Sequence, residues 1–207
     1  HGGGGGGGGS DGSCRGGSDG SCRDGDGDAF GDGRGRRLTF VETMRVASDV
    51  AAAMSYLARE KVVHRDLSTR NLLLTGAGRV KIADYGCSRL MRQASYQPAF
   101  IAGSPPWMAP EQLAGKPICL KTDVWALGTI LWELMAETPP FAVISDLQTL
   151  LREVETRGLP PVEDASTAEL PTDLAPCVQQ IINLVHRKHP AVRPSSEQVS
   201  QVIAGLE

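Results

Sequence analysis

Two short apolar runs separated by a polar loop, within residues 62–74, constrain the fold of this 207-residue chain more than any other feature. Val62-Val63 precedes the loop and Leu72-Leu73-Leu74 follows it. Short runs of branched apolar residues are typical of strands, so the stretch is predicted to be strand, loop, strand. The loop holds an acid, Asp66, and an amide, Asn71, five positions apart. An acid and an amide at fixed spacing between two strands indicate a functional loop.

The first 37 residues have a different composition, because they hold 17 of the 25 glycines. Within them the hexapeptide Ser-Asp-Gly-Ser-Cys-Arg occurs at 10–15 and again at 18–23. Such a segment has too few apolar side chains to offset the backbone entropy lost on folding. Residues 1–37 are therefore predicted to be a disordered, low-complexity tail, and residues 38–207 to be one domain.

Charge and cysteine content exclude several classes of partner. The net charge is -3, which does not favour a nucleic-acid partner. No apolar run is long enough to cross a membrane, so no membrane segment is expected in this chain. The five cysteines follow no zinc-binding spacing, which favours a reduced, intracellular and cytoplasmic protein. Because the chain begins with His1 rather than Met, we expect it to be a piece of a longer protein. That longer protein could be membrane-anchored.

Periodicity predicts a domain that is mainly helical. A capping box at Thr39–Glu42 starts a helix that runs to about Arg59. A hairpin is predicted from Leu72–Thr75 and Arg79–Ala83. Residues 121–135 are apolar nearly all round, which predicts a buried helix. Three further helices are expected at about 146–156, 172–188 and 194–206, and the fold class is α+β.

Downstream of the loop, three more motifs occur in order. The hairpin leads into Asp84-Tyr85-Gly86, 13 residues after Asn71. Residues 87–106 show no periodicity, and long irregular loops are usually functional or disordered. They are followed by Ala109-Pro110-Glu111 and then by Asp123-Val124-Trp125 at the start of the predicted buried helix.

These motifs together resemble the C-terminal lobe of a eukaryotic protein kinase, over about residues 38–207. The residues that carry the resemblance are His64-Arg65-Asp66, Asn71, Asp84-Tyr85-Gly86, Ala109-Pro110-Glu111, Asp123-Val124-Trp125 with Gly128, and Arg193-Pro194. The resemblance implies an ATP-dependent protein kinase with ATP and Mg²⁺ as cofactors and proteins as substrates.

The family's catalytic and binding roles can be placed on matching residues. His64, Arg65 and Asp66 form the expected catalytic motif, in which Asp66 resembles the acceptor of the substrate hydroxyl proton. Asn71 and Asp84 resemble the magnesium ligands, whose oxygen atoms suit that ion. Leu73 occupies the position of the apolar floor beneath adenine.

Other matching positions imply regulatory and structural roles. Arg65 resembles the residue that pairs with an activation-loop phosphate. The candidate phosphorylated residues are Ser95 and Tyr96, followed by Ser88; Ser104 also lies in this loop. The expected structural residues are Glu111 and Arg193, as an ion pair, and Asp123, as an acceptor for the loop backbone. Tyr85 and His64 are expected to stack, and Cys87 to be a small core residue or a reactive thiol.

The expected acceptor specificity is mixed. Ser68-Thr69-Arg70 resembles the loop of tyrosine kinases, whereas Gly103-Ser104-Pro105-Pro106-Trp107 resembles the substrate-docking loop of Ser/Thr kinases. This mixture resembles the tyrosine kinase-like group, and it favours Ser/Thr over Tyr as the acceptor.

The motifs of a kinase N-terminal lobe, a glycine-rich strand-turn-strand and a Val-Ala-x-Lys strand, do not occur in these 207 residues. An active enzyme therefore needs an upstream N-terminal lobe or a kinase partner. The alternatives are a catalytically inactive, kinase-like interaction module and, less favoured, a small-molecule phosphotransferase. Apolar surface around Leu73, Ile82 and Tyr85 is expected to be exposed without that lobe, so the isolated chain is expected to aggregate or to need a partner.

Overall fold

The computed structural model describes residues 38–159 and 174–206. The predicted disordered tail, residues 1–37, and the predicted start of the helix at Thr172 lie outside these ranges. Within them the chain is mainly helical with two small antiparallel sheets, which confirms the predicted fold class.

Six α-helices hold nearly half of the described residues. They are α1 (Phe40–Arg59), α2 (Pro110–Leu113), α3 (Thr122–Ala136), α4 (Leu147–Thr156), α5 (Leu174–Val185) and α6 (Ser196–Ala204). Side-chain caps start several of them, as their sequences predict. Thr39 and Glu42 form the predicted capping box of α1, Ser195 and Gln198 form one at α6, and Asp146 caps α4. Short 3₁₀ turns occupy Thr69–Asn71, Tyr85–Cys87, Pro105–Trp107 and Pro190–Val192.

The two sheets place the loop at 64–71 between them. Strands β2 (Leu72–Leu74) and β3 (Val80–Ile82) form the predicted hairpin, with Leu72 opposite Ile82. Strand β1 (Val62–Val63) pairs with β4 (Arg89–Leu90). The pairing of β1 with β4 differs from the prediction that residues 87–106 are irregular throughout. The partners are 26 residues apart in the register pair Val63–Arg89, and a two-residue strand carries no local periodicity.

Helix α3 is the centre of the core. All of its residues except Glu133 and Leu134 are buried, as expected for a helix that is apolar nearly all round. It packs on α1 and α5, and α1 packs on α6. The four helices α1, α3, α5 and α6 supply most of the largest apolar cluster, and we call them the helical base. Within the described residues, no helix combines the length and apolar character needed to cross a membrane.

The apolar surface beside the hairpin differs in one residue from the expectation. Leu73 is 57% exposed and Tyr85 is 48% exposed. Ile82, however, is buried and belongs to the main core. Side chains alternate between the two faces of a strand, so Ile82 faces the core on β3 while Leu73 is exposed on β2. Leu74, which was not expected in this exposed surface, is 48% exposed.

Candidate active site

Asp123, at the start of α3, fixes the backbone of the loop that follows β1. Its Oδ2 accepts the His64 backbone N–H at 2.6 Å, and its Oδ1 accepts the Arg65 backbone N–H at 2.9 Å. Burial raises the pKa of the Asp123 carboxyl, and the two N–H donors oppose that rise. One buried carboxylate therefore holds two consecutive peptide groups against the start of the buried helix α3.

The backbone of Arg65 is strained and held from both sides. Its φ is +71°, in the left-handed region that a branched or long side chain rarely adopts. Its carbonyl oxygen accepts the Gln112 Nε2–H at 2.6 Å, and Gln112 also donates to the Ala102 carbonyl at 2.9 Å. Strain of this kind persists only where the surroundings impose it, and it is concentrated at functional sites.

His64 links the loop to the segment after the hairpin. It is fully buried, its Nε2 lies 3.1 Å from the Ala83 carbonyl oxygen, and its Nδ1 accepts the Asp66 backbone N–H at 3.3 Å. These contacts fit a neutral imidazole that carries its proton on Nε2. The ring meets Tyr85 edge to face, with centroids 5.0 Å apart and planes at 65°, whereas a stacked pair was predicted.

Asp66 is the acid at the centre of the loop. Its Oδ1 is buried and has no hydrogen-bond partner among the described residues. A buried acceptor left without a donor costs about 1–3 kcal/mol. A carboxylate in that state is available to accept the proton of a hydroxyl group brought to it.

Asn71 and Asp84 come together at one end of the hairpin. The Asn71 Nδ2–H donates to the Asp66 carbonyl at 2.7 Å, which leaves the amide oxygen to face a cation. The Ala83 backbone N–H donates to the Asn71 carbonyl at 2.8 Å, so the residue after Ala83 lies beside Asn71. Asp84 has a φ of +59° and accepts the Gly86 N–H on Oδ1 at 3.1 Å.

The donor set at this end fits magnesium. An amide oxygen and a carboxylate are hard ligands of the kind Mg²⁺ prefers, and the ion usually binds one or two of them together with phosphates and water. Across residues 38–159 and 174–206, no three His, Cys, Asp or Glu side chains cluster as a metal site. An amide oxygen and a carboxylate suit a metal that shares its coordination with a phosphate ligand.

The candidate phosphorylated residues lie in the segment after β4 and differ in accessibility. Ser95 is exposed. Tyr96 is half-buried, its backbone pairs with Ile118, and the Arg89 guanidinium lies 3.8 Å from its ring centroid. Ser88 is half-buried and donates its hydroxyl to the Tyr85 carbonyl at 2.7 Å. Of the three, Ser95 is the exposed residue.

The side chain of Arg65 extends toward the start of that segment. Its Nη1 donates to the Cys87 carbonyl at 3.3 Å, while its Nε is buried and without a partner among the described residues. Cys87 itself is a half-buried free thiol. An incompletely bonded guanidinium is suited to a charge-assisted contact with an added phosphate.

Glu111 and Arg193 form the ion pair that connects α2 to the region before α6. Both guanidinium Nη atoms meet the Glu111 carboxylate, each at 2.6 Å, and both side chains are buried. Arg193 also donates to the carbonyls of Arg187, Lys188 and Lys121. The pair and its extra hydrogen bonds leave no charge unmatched, which is the condition for burying two ions without a large penalty.

Sequence reasoning missed two contacts that shape the site. Gln112 bridges the loop and residue 102, and no local pattern identifies it, although it adjoins Glu111 in a motif. The second is the contact of Arg70 with the docking loop: its Nη2 donates to Ser104 Oγ at 3.0 Å, and its guanidinium lies 5.0 Å from the Trp107 ring centroid. The spacing of 34 residues between Arg70 and Ser104 carries no periodic signal.

Comparisons with known proteins agree with this geometry. The family model described as protein tyrosine and serine/threonine kinase matches residues 21–203. Serine/threonine/tyrosine-protein kinase HT1 of Arabidopsis thaliana is 34% identical over 170 residues, 82% of this chain and 40% of the relative. Serine/threonine-protein kinase STY17 of the same plant is 31% identical over 163 residues, 79% of this chain and 27% of the relative.

A third relative is much longer than this chain. Mitogen-activated protein kinase kinase kinase 13 of Homo sapiens is 37% identical over 107 residues, 52% of this chain and 11% of the relative. The chain thus spans less than half the length of these relatives. The names cover both Ser/Thr and Tyr specificity, in line with the predicted tyrosine kinase-like resemblance. With the loop, the hairpin and the Glu111–Arg193 pair in place, the chain belongs to the protein tyrosine and serine/threonine kinase family.

Proposed function

We propose that the protein containing this chain transfers the γ-phosphate of ATP to Ser or Thr hydroxyl groups of proteins, with Tyr as the second acceptor class. The observation that carries the proposal is Asp66, whose buried Oδ1 has no donor among the described residues, on a loop that Asp123 holds in place. Unpaired acceptors are expected where a ligand completes the bonding.

Asp66 accepts the proton of the substrate hydroxyl in this proposal. The loop orients it, because His64 Nδ1 accepts the Asp66 backbone N–H and the Asn71 Nδ2–H donates to the Asp66 carbonyl. Positioning of reacting groups supplies much of the rate of phosphoryl transfer. Hydrogen bonds to both the backbone N–H and the carbonyl of Asp66 hold its carboxylate in position, which meets that need.

Asn71 and Asp84 would hold magnesium through the amide oxygen and the carboxylate, and Leu73 would contact the adenine ring. Bound Mg²⁺ supplies neutralisation of the phosphate charge. The left-handed backbone of Asp84 and the hydrogen bond from Gly86 keep its carboxylate directed at this end of the hairpin. Leu73 is exposed on β2, which leaves its side chain free to contact a base.

The preference for Ser/Thr rests on the docking loop. Gly103-Ser104-Pro105-Pro106-Trp107 resembles the Ser/Thr form, while the Ser68-Thr69-Arg70 loop resembles the Tyr form. A relative whose name covers serine, threonine and tyrosine supports keeping both acceptor classes. The glycine-rich loop and the lysine that position the phosphates are not among these 207 residues, so an upstream N-terminal lobe or a partner supplies them.

The direct test replaces the proposed base in the longer protein that carries the N-terminal lobe. Asp66→Asn should lower the rate of peptide phosphorylation by at least ~10²-fold, because the amide cannot accept the proton. Asp146→Asn is the matched control: Asp146 is an exposed cap of α4, and Asn caps a helix as well as Asp does. Equal rates for the Asp66 variant and the control would refute the assignment of the base.

A non-catalytic interaction module is the second candidate. Its support is that the 207 residues contain no phosphate-positioning lysine strand. Thermal unfolding of the chain with and without ATP and Mg²⁺ separates the two candidates. A rise in the midpoint that needs both nucleotide and metal would count against the module, and the rise should vanish in the variant Asp84→Asn with Asn71→Ala.

A further inference from the structure

A groove of about 620 Å³ lies between the first turns of α1 and the turn that joins β2 to β3. We call it the α1 groove. Its apolar lining comes from Phe40, Val41 and Met44 on the helix and from Ala77 on the turn. Val41 is 62% exposed. Exposed apolar surface in a concave site favours an occupant that covers it, and among the described residues none covers Val41.

Two arginines and one aspartate give the α1 groove its charge. Asp49 is buried and accepts hydrogen bonds from Arg79 Nε at 2.9 Å and from Arg79 Nη2. The Arg79 side chain is nevertheless 66% exposed. Arg45, one helical turn before Asp49, is also exposed. Glu42 does not line the groove, because its carboxylate turns back to the backbone N–H of Thr39. One carboxylate thus balances one of two guanidinium groups, and the groove is left positive.

One segment of the chain outside the described residues has the opposite charge. Residues 24–33 contain four aspartates, at positions 24, 26, 28 and 32, and no basic residue. The same segment contains Ala29 and Phe30, and Phe30 is the one Phe, Tyr or Trp among residues 1–37. Arginines at 34, 36 and 37 separate this segment from the domain. An acidic segment with one aromatic side chain is complementary to a positive groove with an apolar lining.

The acidic segment is attached to the domain beside the groove. Leu38 and Phe40 pack against the main core, and Phe40 also lines the groove. Phe30 is eight residues before Leu38. Eight residues extend to at most about 29 Å, and a glycine-rich chain of that length has a mean span of about 16 Å. The groove covers positions 40–49 of the helix, about 14 Å, so the segment can reach it.

We propose that residues 24–33 dock in the α1 groove, with Phe30 against Val41 and the aspartates beside Arg45 and Arg79. Burial of the aromatic ring supplies most of the attraction. The charges select an acidic segment and repel a basic one. The alternate glycines raise the entropy cost of docking, which makes it reversible, while the short tether raises the local concentration of the segment to about millimolar. The proposal is independent of the proposed kinase activity.

Photo-crosslinking of the 207-residue chain tests the contact. Phe30 is replaced by p-benzoylphenylalanine, the chain is irradiated, and the attached residues are identified by proteolysis and mass spectrometry. Attachment should occur within residues 40–49 and 76–79. Attachment spread over the rest of the domain, or confined to the tail, would overturn the proposal. A crosslinked dimer would also overturn it, because the groove would then take the tail of a second copy.

The role of charge is tested with the same crosslinker. Replacing all four aspartates of residues 24–33 by Asn should lower the yield of attachment to the groove by at least about 3-fold, since several exposed charge pairs are lost. Arg45→Gln should lower the yield in the same direction. Arg59→Gln is the matched control, because Arg59 is exposed at the other end of α1, and its yield should equal that of the wild type.

Two results would contradict recognition by charge. One is an equal yield in Arg45→Gln and Arg59→Gln, with circular dichroism that shows both variants folded. The other is a yield that stays constant when NaCl is raised from about 0.05 to about 0.5 M, because this salt shortens the screening length to a few Å. A yield that falls with salt in the wild type, but not in the variant without the four aspartates, supports the proposal.

Discussion

The helical base and the loop face of this domain satisfy their polar groups to different degrees. We use loop face for residues 64–74 and 80–87. The buried side-chain atoms without a hydrogen-bond partner in the described chain include Asp66 Oδ1, Arg65 Nε and Ser68 Oγ from the loop face, and one atom of α1, Ser55 Oγ. The loop face also contains two non-glycine residues with positive φ, Arg65 and Asp84.

In and around the helical base, the buried polar and charged side chains of the described residues are paired, with Ser55 Oγ as the exception. The Arg193 side chain donates five hydrogen bonds, two of them to Glu111. His186 stacks on Trp125 with centroids 4.1 Å apart, and its Nε2 lies 3.1 Å from the Trp125 carbonyl oxygen. The difference indicates that stability and function are divided between the two regions. The helical base stabilises the fold, whereas the loop face retains unpaired acceptors and strained backbone that a bound ligand can relieve.

The largest effect is expected from breaking the buried ion pair. Glu111→Gln leaves the Arg193 guanidinium buried without a counter-charge, which should lower the free energy of unfolding by about 3–5 kcal/mol. Urea unfolding followed by circular dichroism measures the change. Glu155→Gln is the matched control, because Glu155 and Lys116 are exposed and 4.0 Å apart, and such pairs contribute under about 1 kcal/mol. Similar losses of unfolding free energy in the two variants would contradict the assignment of stability to the helical base.

Acid should weaken the helical base through His186. Burial lowers the pKa of His186 to about 3, against the opposing hydrogen bond to Trp125, and the charge of Arg193 lowers it further. The unfolded state therefore binds more protons than the folded state between pH 6.5 and 3, so stability is complete above this window and is lost as the pH falls. From pH 7 to pH 5 the loss should be about 2 kcal/mol.

Urea unfolding at several pH values, with His186→Gln as the comparison, checks this dependence. The variant should be less stable than the wild type at pH 7, but it should lose little further stability between pH 7 and pH 5. Asp49 adds a separate loss at lower pH: burial would raise its pKa, but hydrogen bonds from Arg79 and Val80 outweigh burial and lower it. A wild-type stability that is flat from pH 7 to pH 5 would show that His186 takes up its proton without cost.

Contacts between neighbouring residues were predicted from the sequence pattern, whereas contacts between distant residues were not, for a physical reason. The caps at Thr39 and Ser195, the length of α1 and the β2–β3 hairpin follow from neighbouring residues, which the sequence displays directly. The strand β4 and the contact of Arg70 with Ser104 depend on residues 26 and 34 positions apart. Such contacts are set by tertiary packing, so no local pattern marks them.

Close packing in the base can be tested with a single methyl group. A Cβ at Gly128 in α3 would lie 2.5 Å from Val185 Cγ2 and 2.6 Å from His186 Cδ2. Overpacking costs about 1–3 kcal/mol, and the better helix propensity of alanine returns about 1 kcal/mol, so Gly128→Ala should destabilise by about 1 kcal/mol. Gly76→Ala is the control, since nothing lies within 4 Å of its Cβ position. Equal melting temperatures for both variants would mean that α5 moves away freely.

The smallest change in stability is expected on the loop face. Leu73 is 57% exposed, so Leu73→Gln should alter the free energy of unfolding by less than about 0.5 kcal/mol. The same substitution removes apolar surface next to Leu74 and Tyr85, and it should reduce the self-association measured by sedimentation velocity. Val143→Gln is the control, because Val143 is 96% exposed but lies outside the loop face. If both variants reduced association equally, general surface hydrophobicity would explain the self-association. A reduction in the Leu73 variant alone would locate the associating surface at the hairpin, which the helical base does not cover.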